Sequence, residues 1–217
     1  MKVGPLGCFA RFCLKMKHRG WRSEVPEPTE PCVFVCSHQN LAGPLMTLTF
    51  LPFFVRPWVL SVFMERKTCY RQYADYTFSK RHGMPGPLAR FLAWCASGAV
   101  SALMRSIRGI PVYRGNMRIG ATFRQSVEAL QAGYSILLFP DVEYTKASEG
   151  IGEMYDGFIL LGRAYARATG RSLAFYPLYC DMKTRRIVRR EPVQYRADAP
   201  PNEERVRVKE ELHRRLQ

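Results

Sequence analysis

Short apolar runs rich in β-branched and aromatic residues alternate with helix-patterned stretches from Cys32 onward. That alternation restricts the chain to a sheet covered by helices. Strands are predicted over 32–37, 58–64, 109–113, 135–140, 173–179 and 186–195, and helices over 43–54, 87–107, 117–132, 155–169 and 203–216. In the third helix Ile119, Phe123, Val127 and Leu130 recur at steps of four and three, and the pattern stops before Gly133. The expected fold class is α/β: a single three-layer domain over 31–217, with a mostly parallel or mixed sheet flanked by helices. A chain of 217 residues can bury such a core.

Residues 1–30 read as a basic amphipathic segment followed by the proline-rich linker Glu24-Val-Pro-Glu-Pro-Thr-Glu-Pro. Phe9, Phe12, Leu14, Met16 and Trp21 mix with Arg11, Lys15, Lys17, Arg19 and Arg22. This is the composition of a membrane-surface anchor, and equally of a helix packed on the domain. The formal charge of +15 favours phosphorylated or anionic partners, although a generally basic proteome would look the same. No helix shows the arrangement of a known nucleic-acid module, so charge alone does not select nucleic acid. The apolar stretches 44–64 and 87–104 are interrupted by Arg56 and Arg90. Neither is expected to span a membrane, which takes about 20 uninterrupted apolar residues. Met1–Cys13 lacks the pattern of a cleavable signal. The seven scattered cysteines contain no C-x-x-C pair and are expected to be reduced thiols in a cytosolic compartment.

The run Val33-Phe-Val-Cys breaks off into Ser-His-Gln-Asn, which predicts a buried strand delivering His38 to the end of a sheet. His18 and His213 lie in charged surroundings and His82 in a Gly/Pro loop, so His38 is the candidate general base. A histidine here can also simply cap the following helix. Three more blocks sit at strand ends: Ile110-Pro-Val-Tyr-Arg114-Gly115, Leu138-Phe-Pro-Asp141 and Phe175-Tyr-Pro177-Leu. Between the last two, Tyr155-Asp-Gly157-Phe leads a loop into a helix.

In this order and spacing the blocks resemble the glycerophosphate and lysophospholipid acyltransferase family, over roughly residues 30–195. His38 falls on the histidine of that family's N-H-x-x-x-x-D block, Arg114 on the arginine after I-x-V, and Phe139-Pro140-Asp141 on F-P-E. Gly157 and Pro177 fall on the later glycine and proline. Gly43 stands where the family has aspartate, and Val142-Glu143-Tyr144-Thr145-Lys146 replaces G-T-R. Losing the partner of a catalytic histidine costs about 10⁴ in turnover in the serine-protease case. Three outcomes stay open: Asp141 or Glu143 reaches Nδ1, Asn40 orients the ring through a neutral hydrogen bond, or the protein binds ligands without fast chemistry.

The resemblance implies transfer of a fatty acyl group to a hydroxyl of a glycerophosphate or lysophospholipid-type acceptor. The acyl thioester co-substrate would be acyl-CoA or acyl-ACP, with acyl carrier protein a partner in the second case. His38, with Asp141 or Glu143, would be catalytic. Arg114, Gly115, Asn40, Thr145 and Lys146 would hold the phosphorylated lipid or polyol, with no metal and no bound cofactor. The expected location is cytoplasmic, peripheral on the anionic inner face of the cell membrane. The alternative is a non-catalytic lipid or acyl-carrier-binding relative.

Overall fold

The computed structural model describes residues 3–113, 118–142 and 152–217. The chain is mixed α/β, a mostly parallel sheet with helices packed on it. In chain order the elements are α1 (Pro5–Lys17), β1 (Arg22–Ser23), β2 (Val33–Cys36), α2 (Ala42–Phe50), β3 (Val55–Leu60) and α3 (Arg66–Arg71). After α3 comes a π-helical run, Gln72–Arg81, and then α4 (Gly86–Ser106), β4 (Ile110–Val112), α5 (Ile119–Gln131) and β5 (Ser135–Leu138). A 3₁₀ turn, Gly157–Ile159, leads into α6 (Leu160–Thr169), followed by β6 (Ala174–Asp181), β7 (Arg186–Arg189), β8 (Val193–Gln194) and α7 (Pro201–Leu216).

Two compact units result. The larger, Arg11–Arg56 with Phe123–Gln217, holds strands in the order β1-β7-β6-β2-β5, with β8 also on β6. β2 runs parallel to both β5 and β6, is buried along its whole length, and therefore reads as a continuous apolar run. Its core includes Phe34, Met46, Leu51, Phe53, Leu137, Leu178 and Ile187. Arg11 closes the C-terminal end of α2 by donating to the carbonyls of Thr49, at 2.8 Å, and Leu51. Gly162 of α6 is required by packing: a Cβ there would lie 2.4 Å from the buried ring of Tyr195.

The smaller unit, Met1–Ala10 with Pro57–Thr122, pairs β3 with β4 in parallel and packs α4 on α3 and the π-helical run. The start of α1 is tied to the end of α4 by its own backbone. Gly4 N–H donates to the Ser106 carbonyl and Gly7 N–H to the Ser106 hydroxyl, both at 2.8 Å.

Several predicted boundaries move. The strand expected at 58–64 starts at Val55, takes in Arg56 and Pro57, and ends in a 3₁₀ turn at Ser61–Phe63. The helix expected over 43–54 stops at Phe50, because Leu51 and Phe53 turn into the core. The strand expected over 186–195 is broken at Pro192, so β7 and β8 pair with different parts of β6. The proline-rich stretch follows an edge strand: Arg22 and Glu24 N–H groups donate to Arg185 and Ile187 carbonyls at 3.0 and 2.9 Å.

Candidate active site

β2 and β5 end side by side, with Val35 in register with both Leu138 and Pro177, while β6 runs on past them to Asp181. The C-terminal edge of parallel strands is where open α/β sheets bind ligands. Ser37-His38-Gln39-Asn40 and Phe139-Pro140-Asp141 are the continuations of β2 and β5 beyond that edge. Asp141, only 6 % exposed, joins the two: its Oδ1 accepts from the Ser37 hydroxyl at 2.9 Å and its Oδ2 from the His38 backbone N–H at 2.8 Å. Burial pushes its carboxyl above the ordinary 3.8, while the bonds from His38 and Ser37 pull the other way.

The imidazole is held by other means. Gln39 and Asn40 have φ of 41° and 62°, two consecutive left-handed residues that curl the chain back. The Asn40 main-chain carbonyl thereby meets His38 Nδ1. A carbonyl only accepts, so this pairing assigns the proton to Nδ1 and the basic lone pair to Nε2, the tautomer a general base needs. Phe139 packs its ring edge-on to the imidazole, with centroids 5.7 Å apart at 70°. Gln39 donates from Nε2 to the Cys180 carbonyl at 3.2 Å. Its Oε1 is buried with no hydrogen-bond partner among the described residues.

At Gly43 the main chain of the strand end comes close. The start of α2 is drawn onto the strand end by Ala42 N–H to the Gln39 carbonyl and Gly43 N–H to the His38 carbonyl, both 3.2 Å. A Cβ at Gly43 would lie 2.0 Å from the Ser37 carbonyl oxygen and 3.1 Å from that of His38. Aspartate therefore cannot occupy this position without moving main chain.

Of the sequence-predicted residues, His38, Asn40 and Asp141 converge, but with altered roles. Asp141 was a candidate for Nδ1; it binds the His38 backbone, and Nδ1 goes to Asn40. The neutral orienter is the Asn40 backbone, a role set by chain conformation. The Ser37 hydroxyl, which the sequence reading passed over, is part of the same network. Arg114, Gly115, Glu143, Thr145 and Lys146 lie outside the described residues. Gly157 opens the turn into α6, and Pro177 lies on β6. Below the edge, Cys36 and Cys180 are buried with sulfurs 3.8 Å apart; their mutual hydrogen bond and burial push the Cys36 thiol well up, which makes it a poor nucleophile. No group of three or more His, Cys, Asp or Glu that could hold a metal ion occurs among the described residues.

Parallel strands ending at a histidine and a buried acid, with helices over the sheet, place the candidate site at the C-terminal edge of a mixed α/β fold. Among solved structures the chain is similar to the crystal structure of the 1-acyl-sn-glycerophosphate (LPA) acyltransferase PlsC from Thermotoga maritima. The TM-score is 0.54 at 13 % identity, over 97 % of this chain and 77 % of that one. The likeness establishes the fold. No family model and no curated protein matches the sequence.

Proposed function

We propose that the protein is an acyltransferase, moving a fatty acyl group from acyl-CoA or acyl-ACP to a hydroxyl of a glycerophosphate or lysophospholipid-type acceptor. The observation that carries this is His38 at the edge of three parallel strands, with Nδ1 on the Asn40 carbonyl and its backbone held by Asp141. Nε2 takes the acceptor's hydroxyl proton as the oxygen attacks the thioester carbonyl. The new C–O bond forms, the C–S bond breaks, and the thiolate leaves with the proton returned from the imidazolium. Arg114, Gly115, Thr145 and Lys146 are assigned to the phosphate by resemblance alone. A main-chain carbonyl stabilises the imidazolium less than a carboxylate would, so turnover is slow for such a site. The basic charge and the exposed Phe9, Phe12 and Met16 of α1, which carries no acid, favour work at the anionic inner face of the cell membrane.

The test is thiol release from acyl-CoA with a lysophospholipid acceptor, wild type against His38→Ala. A general base contributes about 10²–10⁴-fold, so loss on that scale is expected. Equal release from both proteins refutes the mechanism. Gly43 favours one second reading, a lipid- or acyl-carrier-binding protein without catalysis. That reading predicts lipid co-purifying equally with wild type and His38→Ala, and no thiol release from either.

A further inference from the structure

α4 has two unlike sides. Ala89, Ala93, Ser97 and Ser101 are buried at four-residue steps, on the side where α4 packs against α3 and the π-helical run. Over its N-terminal half the other side leaves Leu88, Phe91 and Trp94 exposed by 48, 62 and 59 %. In sequence, the stretch 65–122 holds ten Lys or Arg against two acids, Glu65 and Asp75. The Arg66 guanidinium lies over the Trp94 ring, 5.2 Å from its centroid.

We propose that this face of α4 docks on the interface of an anionic lipid bilayer, with the helix axis in the membrane plane. The proposal adds a second membrane element to the reading above and does not depend on acyl transfer. Charge selects the occupant. A strongly basic surface with few acids suits anionic headgroups, whereas a second copy of the chain would set like charges against each other. Aromatic rings beside cations suit the boundary between headgroups and acyl chains. α4 is long and apolar enough to cross a membrane. Crossing is opposed by what its small-residue side packs against: α3 and the π-helical run bring Arg66, Lys67, Arg71, Lys80 and Arg81, which would have to enter hydrocarbon.

Trp94 reports its own position, because Trp21 is buried and Trp58 half-buried. The full chain is mixed with vesicles of phosphatidylcholine alone, or of equal parts phosphatidylcholine and phosphatidylglycerol, and read by co-sedimentation and Trp emission. Lipids brominated high or low on the acyl chain serve as quenchers. Binding to the anionic vesicles only is expected, with a blue shift, and with stronger quenching by the high bromine. Phe91→Ser with Trp94→Ser should weaken partitioning at least ten-fold, since each residue withdraws on the order of 100 Å² of apolar surface. Trp94→Phe should keep partitioning and lose the shift. The proposal is overturned by stronger quenching from the low bromine, which means spanning. It is also overturned by an unshifted Trp94 on bound protein, which leaves docking to α1, by equal binding to neutral vesicles, or by a vesicle-free dimer that Trp94→Ser dissociates.

Discussion

Replacing Gly43 separates the two explanations for its presence, a lost catalytic aspartate or a contact that admits no side chain. Gly43→Ala adds one Cβ at 2.0 Å from a main-chain oxygen, more than 1 Å inside van der Waals contact, and no rotamer can relieve it. α2 must shift away from the strand end, weakening the 3.2 Å bonds from Ala42 and Gly43 to the Gln39 and His38 carbonyls. Overpacking of this kind costs about 1–3 kcal/mol, and about 0.5–1 kcal/mol returns from removing a helical glycine. The net is a loss of roughly 1–2 kcal/mol, or about 2–8 °C in Tm for a chain of this size. Gly43→Asp carries the same Cβ and should lose at least as much. Calorimetry and thiol release from acyl-CoA are measured on wild type and both variants. Lower Tm in both, without a gain in transfer, is expected. A Gly43→Asp protein that melts with wild type and transfers acyl groups at least ten-fold faster would refute the steric argument and mark the natural site as a weakened one.

If the Asn40 backbone orients His38, Asn40→Gly keeps the left-handed φ and should transfer acyl groups within a few-fold of wild type. Asn40→Val opposes that φ by about 1–2 kcal/mol and should lose most activity; steady-state kinetics on the pair checks this. Burial raises the Asp141 carboxyl, so between 3.8 and the raised folded value the native state binds more protons than the unfolded one. Asp141 therefore adds stability as pH falls through that window and opposes it above, and Asp141→Asn should flatten this part of the urea-midpoint profile. Near neutral pH the same variant should cost about 1–3 kcal/mol, because the Ser37 and His38 donors lose half of their acceptor.

Legibility followed burial pattern. β2 and β5 could be read because strands buried on both faces must be apolar without interruption. Residues 66–81 carry no legible period, because α3 and the π-helical run bury only Cys69 and Ala74. Arg56-Pro57 reads as a break, yet both residues lie within β3. At the site, the strand-end blocks fall where β2 and β5 stop, but Asp141 meets the His38 backbone N–H instead of the ring nitrogen. The Asn40 carbonyl was hidden because every residue has one, and only two left-handed φ values aim this one at the ring. Gly43 is visible as a departure from a motif, whereas the main-chain approach beside it leaves no mark in residue types.

The bonds from Gly4 and Gly7 to Ser106 change what α1 can transmit. A tether on a flexible joint adds residence time at a surface and nothing else. The start of α1 is instead built into the smaller unit through its own backbone, at an approach where a Cβ on Gly4 would come within 2.7 Å of the Ser106 hydroxyl oxygen. Its first turns cannot tilt while that unit stays still. If α1 docks on a lipid surface as proposed, seating Leu6 and Phe9 would set the attitude of the unit they belong to, as a keel sets the trim of a hull.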